Sequence, residues 1–358
     1  MKEKIIVGMS GGVDSAVASA ILKEQGFEVE GLFMKNWEDD SEFCSAEKDY
    51  KDALQVCDEL DIPLRSVNFS NQYWDRVFKQ FLNEYEKGRT PNPDILCNTE
   101  IKFKEFYNYA LQLGAERIAT GHYVQTKKLE NNIQLLKGTD DNKDQSYFLH
   151  ALNQKQISSA LFPIGNLKKK EVRSHANKLS FNNFNKKDSV GICFIGKRDL
   201  TKFLSNYIPK KDGLIISDKG EKLGKHQGVM YYTIGQRKGL GIGGIDKSQH
   251  GPWYVASKDI SNNELIVVQG HTHPALYHTK LTASNIHWIS GNPPTAKNLK
   301  AKIRYRGREK PCAIENLNDN MISVTFEEPC FAIAPGQSIV FYENNICLGG
   351  ALIETAKD

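Results

Sequence analysis

The sequence predicts an α/β protein: a parallel sheet covered by helices on both faces, then a small β-rich central unit, then a C-terminal β-barrel. Three observations carry this expectation. Apolar strands alternate with amphipathic helices up to about residue 125. A glycine-rich stretch, GMSGGVDSAVAS at residues 8–19, sits where the first strand ends and a helix begins. After residue 205 the helical period gives way to short apolar runs punctuated by glycine. At 358 residues the chain exceeds one small domain. Three domains are expected, at 1–205, 206–275 and 276–358.

The elements read in order. KIIVGM is a first strand, and VDSAVASAILKEQG a helix that stops at Gly26. FEVEGLFM is a second strand, SAEKDYKDALQVCDELD a helix and PLRSVNF a third strand. A helix through NQYWDRVFKQFLNEYEKG leads to the loop RTPNPDILCN, and the helix EIKFKEFYNYALQLG and the strand RIATGHY follow. On such sheets ligands sit beyond the carboxyl ends of the strands. Residues 8–15 and 120–123 both fall there, so these two segments are expected to meet. Beyond 205, IPKKDGLIISDKGEKLGKHQGVMYYTIGQRKGLGIGG reads as hairpin strands. From about 276, turns at GNPP, NLNDN and YENN separate the short strands of a barrel.

Hydrophobic residues make up 40% and charged residues 25%, the balance of a soluble globular enzyme. No apolar stretch nears the roughly 20 residues that span a bilayer. The first strand begins at about Lys4, which leaves no room for a signal or transit peptide, so a cytoplasmic protein without membrane contact is expected. The seven cysteines (44, 57, 97, 193, 312, 330 and 347) never form CxxC, which argues against a disulfide scaffold or a zinc ribbon. Net charge is only +4, and residues 200–275 carry most of the excess, with 10 basic against 6 acidic side chains. A polyanion would therefore be gripped by local patches.

In the opening loop, Gly11 and Gly12 let the backbone approach an anion that the first N–H groups of the helix face. Ser10 and Ser15 add hydroxyl donors, and Asp14 can hold Mg²⁺. GxxxxGK[ST] is absent for want of a lysine, so the loop suits a pyrophosphate that leaves whole. In TPNPDILCN, Asp94 is the natural cap, and Cys97 lies close to a helix start, where the dipole lowers a thiol pKa. The same pattern fits a capping aspartate followed by a half-buried cysteine. Cys193 sits in the apolar run SVGICFIG, where a cysteine is ordinarily a small core residue.

Along AKIRYRGREKP, Lys302, Arg304, Arg306, Arg308 and Lys310 fall on even positions, which on a strand is one face. That is a phosphate-tracking ridge or a solvated edge. In LKKKEVRSH, Lys168 to Lys170 and Arg173 read as an exposed helix face. His271 and His273 lack the further ligands of a metal site, and no metal site made by protein groups alone is expected.

SGGVDS resembles the PP-loop of the ATP pyrophosphatases, which adenylate a substrate oxygen and release pyrophosphate. GMSGGVDS, MKNW, GRTPNPDILCNTEIKF, ATGHY, NKDQSYFL, KKDSVGICFIG and MYYTIGQRKGLGIGG resemble, in this order, the tRNA-specific 2-thiouridylases. These bacterial enzymes place sulfur on C2 of the wobble uridine. The resemblance covers nearly the whole chain. Val190 stands where the family pattern has threonine, and FNNFN before Lys186 departs locally. The resemblance implies a PP-loop (adenine nucleotide alpha hydrolase-like) first domain, with ATP and Mg²⁺ as cofactors. It also implies tRNA for Lys, Glu and Gln, and a sulfur-donor protein (a persulfide carrier or a cysteine desulfurase), as partners. Monomer is the default. An adenylating ligase for a small carboxylate would share SGGVDS but has no use for Cys97 or Cys193.

Carried over residue by residue, Gly8, Met9, Ser10, Gly11, Gly12, Val13, Asp14 and Ser15 match the ATP loop, with Met34 and Gly121 as further nucleotide contacts. Asn92, Pro93 and Asp94 match the segment that meets the target base, and Asp94 is the candidate for proton transfer. Cys97 matches the nucleophile and Cys193 the cysteine that carries a persulfide; turnover ends in a disulfide between them. His122, Lys143, Asp144, Gln145, Arg304, Tyr305 and Gln337 match positions that face tRNA.

Overall fold

A computed structural model describes residues 2–38, 46–130, 132–188, 198–242, 251–295 and 298–357. Cys193, with the rest of 189–197, lies outside the described residues. The chain opens with β1 (Lys4–Met9), α1 (Val13–Glu24), β2 (Glu28–Lys35), α2 (Ala46–Glu59) and β3 (Leu64–Asn68), as the alternation predicts. Helical stretches at 70–86 and 93–112 precede β4 (Arg117–Ala119). The second begins well before the expected EIKFKEF, because Pro93 takes the first helical position and Asn92 caps it. A hairpin that the pattern does not predict follows, β5 (Val124–Lys128) and β6 (Ile133–Lys137), and then the short β7 (Ala160–Leu161).

The first sheet is parallel, in the order β3-β2-β1-β4-β7, with β1 at its centre. Side chains alternate across a strand. Ile6 therefore joins the core that holds Phe81 and Phe106, whereas Ile5 and Val7 join the core that holds Val17 and Val172. All three are fully buried, as a strand covered on both faces requires.

The central unit is a four-stranded sheet of β8 (Gly213–Ser217), β9 (Lys222–His226), β10 (Trp253–Asp259) and β11 (Glu264–Gln269), ordered β10-β11-β8-β9. The last part comprises β12 (Tyr277–Trp288), β13 (Lys300–Lys302), β14 (Lys310–Asn318), β15 (Met321–Phe331), β16 (Ser338–Glu343) and β17 (Ile346–Lys357). β12 pairs with both β15 and β17, which closes these six strands into a barrel. The β5–β6 hairpin adds to the barrel through Leu135↔Cys347 and Leu136↔Ile346. The N-terminal unit thus shares a sheet with the C-terminal one.

The expected cationic strand is not one. β13 stops at Lys302 and β14 starts at Lys310; between them Gly307 N–H donates to the Arg304 carbonyl at 2.9 Å, which closes a turn. Lys302 turns inward to Glu309 and Asp144, at 3.5 and 3.4 Å. Arg304, Arg306 and Arg308 alone of the five stay exposed.

Candidate active site

The loop after β1 has the build of an anion cradle. Gly11 adopts φ +68°, and a side chain there would run into the Asp49 backbone. Ser15 Oγ accepts from Ser10 N–H at 3.2 Å and donates to the Gly12 carbonyl at 3.1 Å, which fixes the turn. Gly12 is the N-cap of α1 with no side-chain cap, so the first-turn N–H groups lack that partner. The predicted meeting of 8–15 with 120–123 occurs: a Cβ on Gly121 would stand 2.8 Å from the Asp14 carbonyl carbon and the Ser15 nitrogen. Met34 lies against the start of the loop, its methyl 3.3 Å from where a Gly8 Cβ would be.

The lysine absent from the motif arrives from elsewhere. Lys169 Nζ donates to both oxygens of Asp14 at 2.8 Å, and Tyr123 OH donates to one of them at 2.6 Å. Lys169 also reaches Asp188 at 2.7 Å, which pairs with Lys143 at 2.5 Å and Arg173 at 3.2 Å. Burial would raise the pKa of Asp188, but hydrogen bonds and charge from Lys143 and Lys169 outweigh it and hold the group at about 2. Lys169 and Arg173 therefore do not lie on an exposed helix face: Lys169 reaches the loop at Asp14, and Arg173 donates to the Phe184 and Lys186 carbonyls and to Asp188. Lys186 binds the Gly11 carbonyl at 3.0 Å and Asp49 at 2.7 Å, tying α2 to the same turn. Sequence reasoning missed Lys169, Lys186, Tyr123 and Asp188. Tyr123 was placed beside the loop only as part of the 120–123 segment, and Lys169 appeared only as one of the cationic cluster Lys168 to Lys170.

Cys97 sits on the helical stretch 93–112 that also backs the loop. Asn92, not Asp94, is the cap: its side chain accepts from Asp94 N–H at 3.1 Å. Asp94 stands in the first turn, where burial raises its pKa against the opposing charge of Lys102. Cys97 is 4% exposed and opens a π-helical segment, Cys97–Glu105, a widened turn of the kind frequent at functional sites. From the same stretch, Phe106 packs against Gly8, and the Phe103 ring lies 5.8 Å from that of His122. His122 accepts or donates at Thr120 Oγ1 over 2.8 Å; burial, aided by Lys102, holds its pKa well below the usual value, so it is neutral. The stretch that begins with Cys97 thus reaches the anion cradle through Phe103 and Phe106.

The residues matched to tRNA-facing positions are placed unevenly. Arg304 is exposed, and Tyr305 packs on Phe148 at 4.3 Å. Lys143 is engaged by Asp188, and Gln145 accepts from Tyr123 N–H at 2.9 Å. Asp144 is buried, accepting from Gly138 N–H at 3.2 Å and from the Ser146 hydroxyl at 3.0 Å. Gln337 donates to the Thr90 carbonyl at 2.6 Å, next to the segment that carries Asn92 and Pro93. His271 stacks on Phe331 at 4.4 Å, and among the described residues no group of three or more His, Cys, Asp or Glu is placed to hold a metal ion.

Comparison with known proteins follows the same three parts. Residues 3–197 match the tRNA methyl transferase HUP domain, 201–269 the tRNA methyl transferase PRC-barrel domain and 278–353 the aminomethyltransferase beta-barrel domain. A tRNA-specific 2-thiouridylase of Proteus mirabilis is 55% identical over 358 residues, spanning 99% of this chain and 98% of that protein. The chain belongs to the tRNA-specific 2-thiouridylase family. A second member, from Nitrosomonas eutropha, is 56% identical over 355 residues and 98% of each chain. A third, from Francisella philomiragia, is 53% identical over 354 residues, 98% of this chain and 99% of that one. Membership extends over all three parts, so the barrel and the central sheet belong to the 2-thiouridylase as much as the loop does.

Proposed function

We propose that this chain is a tRNA-uridine 2-sulfurtransferase, which uses ATP to exchange the C2 oxygen of the wobble uridine for sulfur in tRNA for Lys, Glu and Gln. One observation favours it most. The helical stretch bearing Asp94 and Cys97 packs against the same Gly8 and 120–123 segments that build the anion cradle. The contacts are made by Phe106 and Phe103, so Cys97 is carried by the element that backs the cradle.

Uridine O2 is a poor leaving group, so it must first be activated. O2 attacks the α-phosphorus of ATP held over residues 8–15, and pyrophosphate departs; the first N–H groups of α1 stabilise charge on the phosphates. The terminal sulfur of a Cys193 persulfide then attacks C2, and AMP leaves with the former O2. Cys97 thiolate either attacks the Cys193 sulfur of that adduct, leaving sulfur on C2, or attacks the persulfide earlier to free sulfide. Both routes join Cys97 to Cys193 in a disulfide that an external thiol must reduce. Asp94, with its pKa raised by burial, is suited to hold and return a proton near the base. A magnesium ion held chiefly by phosphates needs one or two carboxylates; Asp14 would be that ligand in exchange for Lys169, and the ion would draw charge from the phosphates. A sulfur-donor protein must reload Cys193.

The test is release of AMP and pyrophosphate from ATP with and without unmodified tRNA. The reading expects release that depends on tRNA. Release that depends on a small carboxylate instead would favour an adenylating ligase, and none under any condition would end the ATP reading.

A further inference from the structure

Away from the loop and Cys97, the three parts of the chain meet around a cavity of about 590 Å³, well within the size of small-molecule sites. Its walls are mostly aliphatic, with Ile234, Ile266 and Val268 from the central unit and Ile333 and Pro335 from the barrel. Lys258 of β10 also lines it, donating through Nζ to the Gly88 carbonyl at 2.8 Å. The neighbouring cations are compensated. Lys87 meets Glu84 at 3.2 Å, and Arg89 meets Glu84 at 3.4 Å and Glu354 at 2.5 Å. Asp218 on the same wall faces His273 at 3.3 Å. Among the described residues Lys258 alone of these wall cations meets no carboxylate, and burial brings its pKa down to about 8. At neutral pH it is still mostly an ammonium ion, and one left without an anion in apolar surroundings is unfavourable.

We propose that this cavity binds a small organic carboxylate, with the carboxylate on Lys258 and an apolar body along the isoleucines. The position gives the ligand a route to the active site. Gly88 and Thr90 form part of the wall, and Asp94 and Cys97 follow them along the chain. Thr90 N–H donates to the Pro335 carbonyl at 2.9 Å, so a ligand spreading these walls pulls on the root of the Asn92–Cys97 segment.

The experiment is calorimetric titration of octanoate into the full chain. Wild type should bind it, Lys258→Met should lose at least about tenfold in affinity, and Lys258→Arg should retain it. Binding should weaken from pH 7 to 9 as the ammonium loses its proton. The melting temperature of Lys258→Met should equal or exceed that of wild type, since an uncompensated charge is removed. If Lys258→Met fails to fold, Ile234→Phe fills the cavity, keeps the ammonium and should also abolish binding. No octanoate binding by wild type at millimolar concentration overturns the proposal, as does unchanged binding in Lys258→Met or Ile234→Phe. If octanoate is ignored while Lys258→Met melts lower or binds tRNA more weakly, the lysine is a staple to Gly88 or a phosphate contact, and the site is likewise refuted.

Discussion

Gly121 offers the sharpest perturbation of the anion cradle. A Cβ there would stand 2.8 Å from the Asp14 carbonyl carbon and the Ser15 nitrogen, and 3.0 Å from Asp14 Cβ. Carbon atoms in comfortable contact sit about 3.5–4.0 Å apart. The first two of these are backbone atoms in the first turn of α1, so no side chain can swing clear. Either the loop or the 120–123 segment must yield, and overpacking of this kind costs about 1–3 kcal/mol. If that falls on the phosphate-binding geometry, ATP affinity drops about 5- to 140-fold. Gly26→Ala supplies the contrast. It has φ +89° and nothing within 4 Å of its added Cβ, so it suffers only backbone strain, about 1–2 kcal/mol. Calorimetric titration of a non-hydrolysable ATP analogue into both variants, with thermal melts alongside, separates the site from the fold. Wild-type affinity in Gly121→Ala, or equal loss in Gly26→Ala, would refute the argument that close backbone approach builds the site.

Three further outcomes follow from the same geometry. Cys97→Ser and Cys193→Ser should each abolish thiolation while leaving tRNA binding nearly intact; normal 2-thiouridine formation by either removes that thiol from the chemistry. Asp188 has a folded pKa of about 2, below its usual 3.8. Its stabilisation is therefore present above about pH 4 and lost as pH falls toward 2, about 1–2 kcal/mol after allowance for its partial exposure. Denaturant melts between pH 2 and 6 should show that Asp188→Asn flattens this part of the acid limb; an unchanged limb disproves the ion cluster. Arg304→Ala with Arg306→Ala should weaken tRNA binding and make its salt dependence shallower by roughly one unit for each phosphate no longer neutralised. An unaltered salt slope dismisses these arginines as RNA-binding groups.

The parallel sheet and the loop were legible because their signals are local. An apolar run, two glycines and the onset of a helical period fall within one short stretch. The family pattern added what composition could not, namely a use for Cys97 and Cys193. What stayed hidden is long-range. Lys169 lies 155 positions from Asp14, and nothing in KKKEVR says which carboxylate it meets. The β5–β6 hairpin finds its partner in β17, the last strand of the chain, where Leu135 pairs with Cys347; a strand's own sequence does not name its neighbour. The cationic run misled for another reason: alternation of charge from 302 to 310 mimics a strand, yet the strand ends at Lys302, whose side chain is drawn inward, and Gly307 closes a turn on Arg304. Asn92 displaced Asp94 as the cap because proline occupies the first helical position directly after it.

The most direct measurement is nucleoside analysis of tRNA from cells with and without this chain, repeated with purified protein, ATP, a persulfide source and unmodified tRNA. The account predicts that wobble 2-thiouridine disappears from the cells and forms in the tube, with AMP and pyrophosphate released alongside. Undiminished 2-thiouridine in the cells, together with none formed by the purified protein, would contradict it.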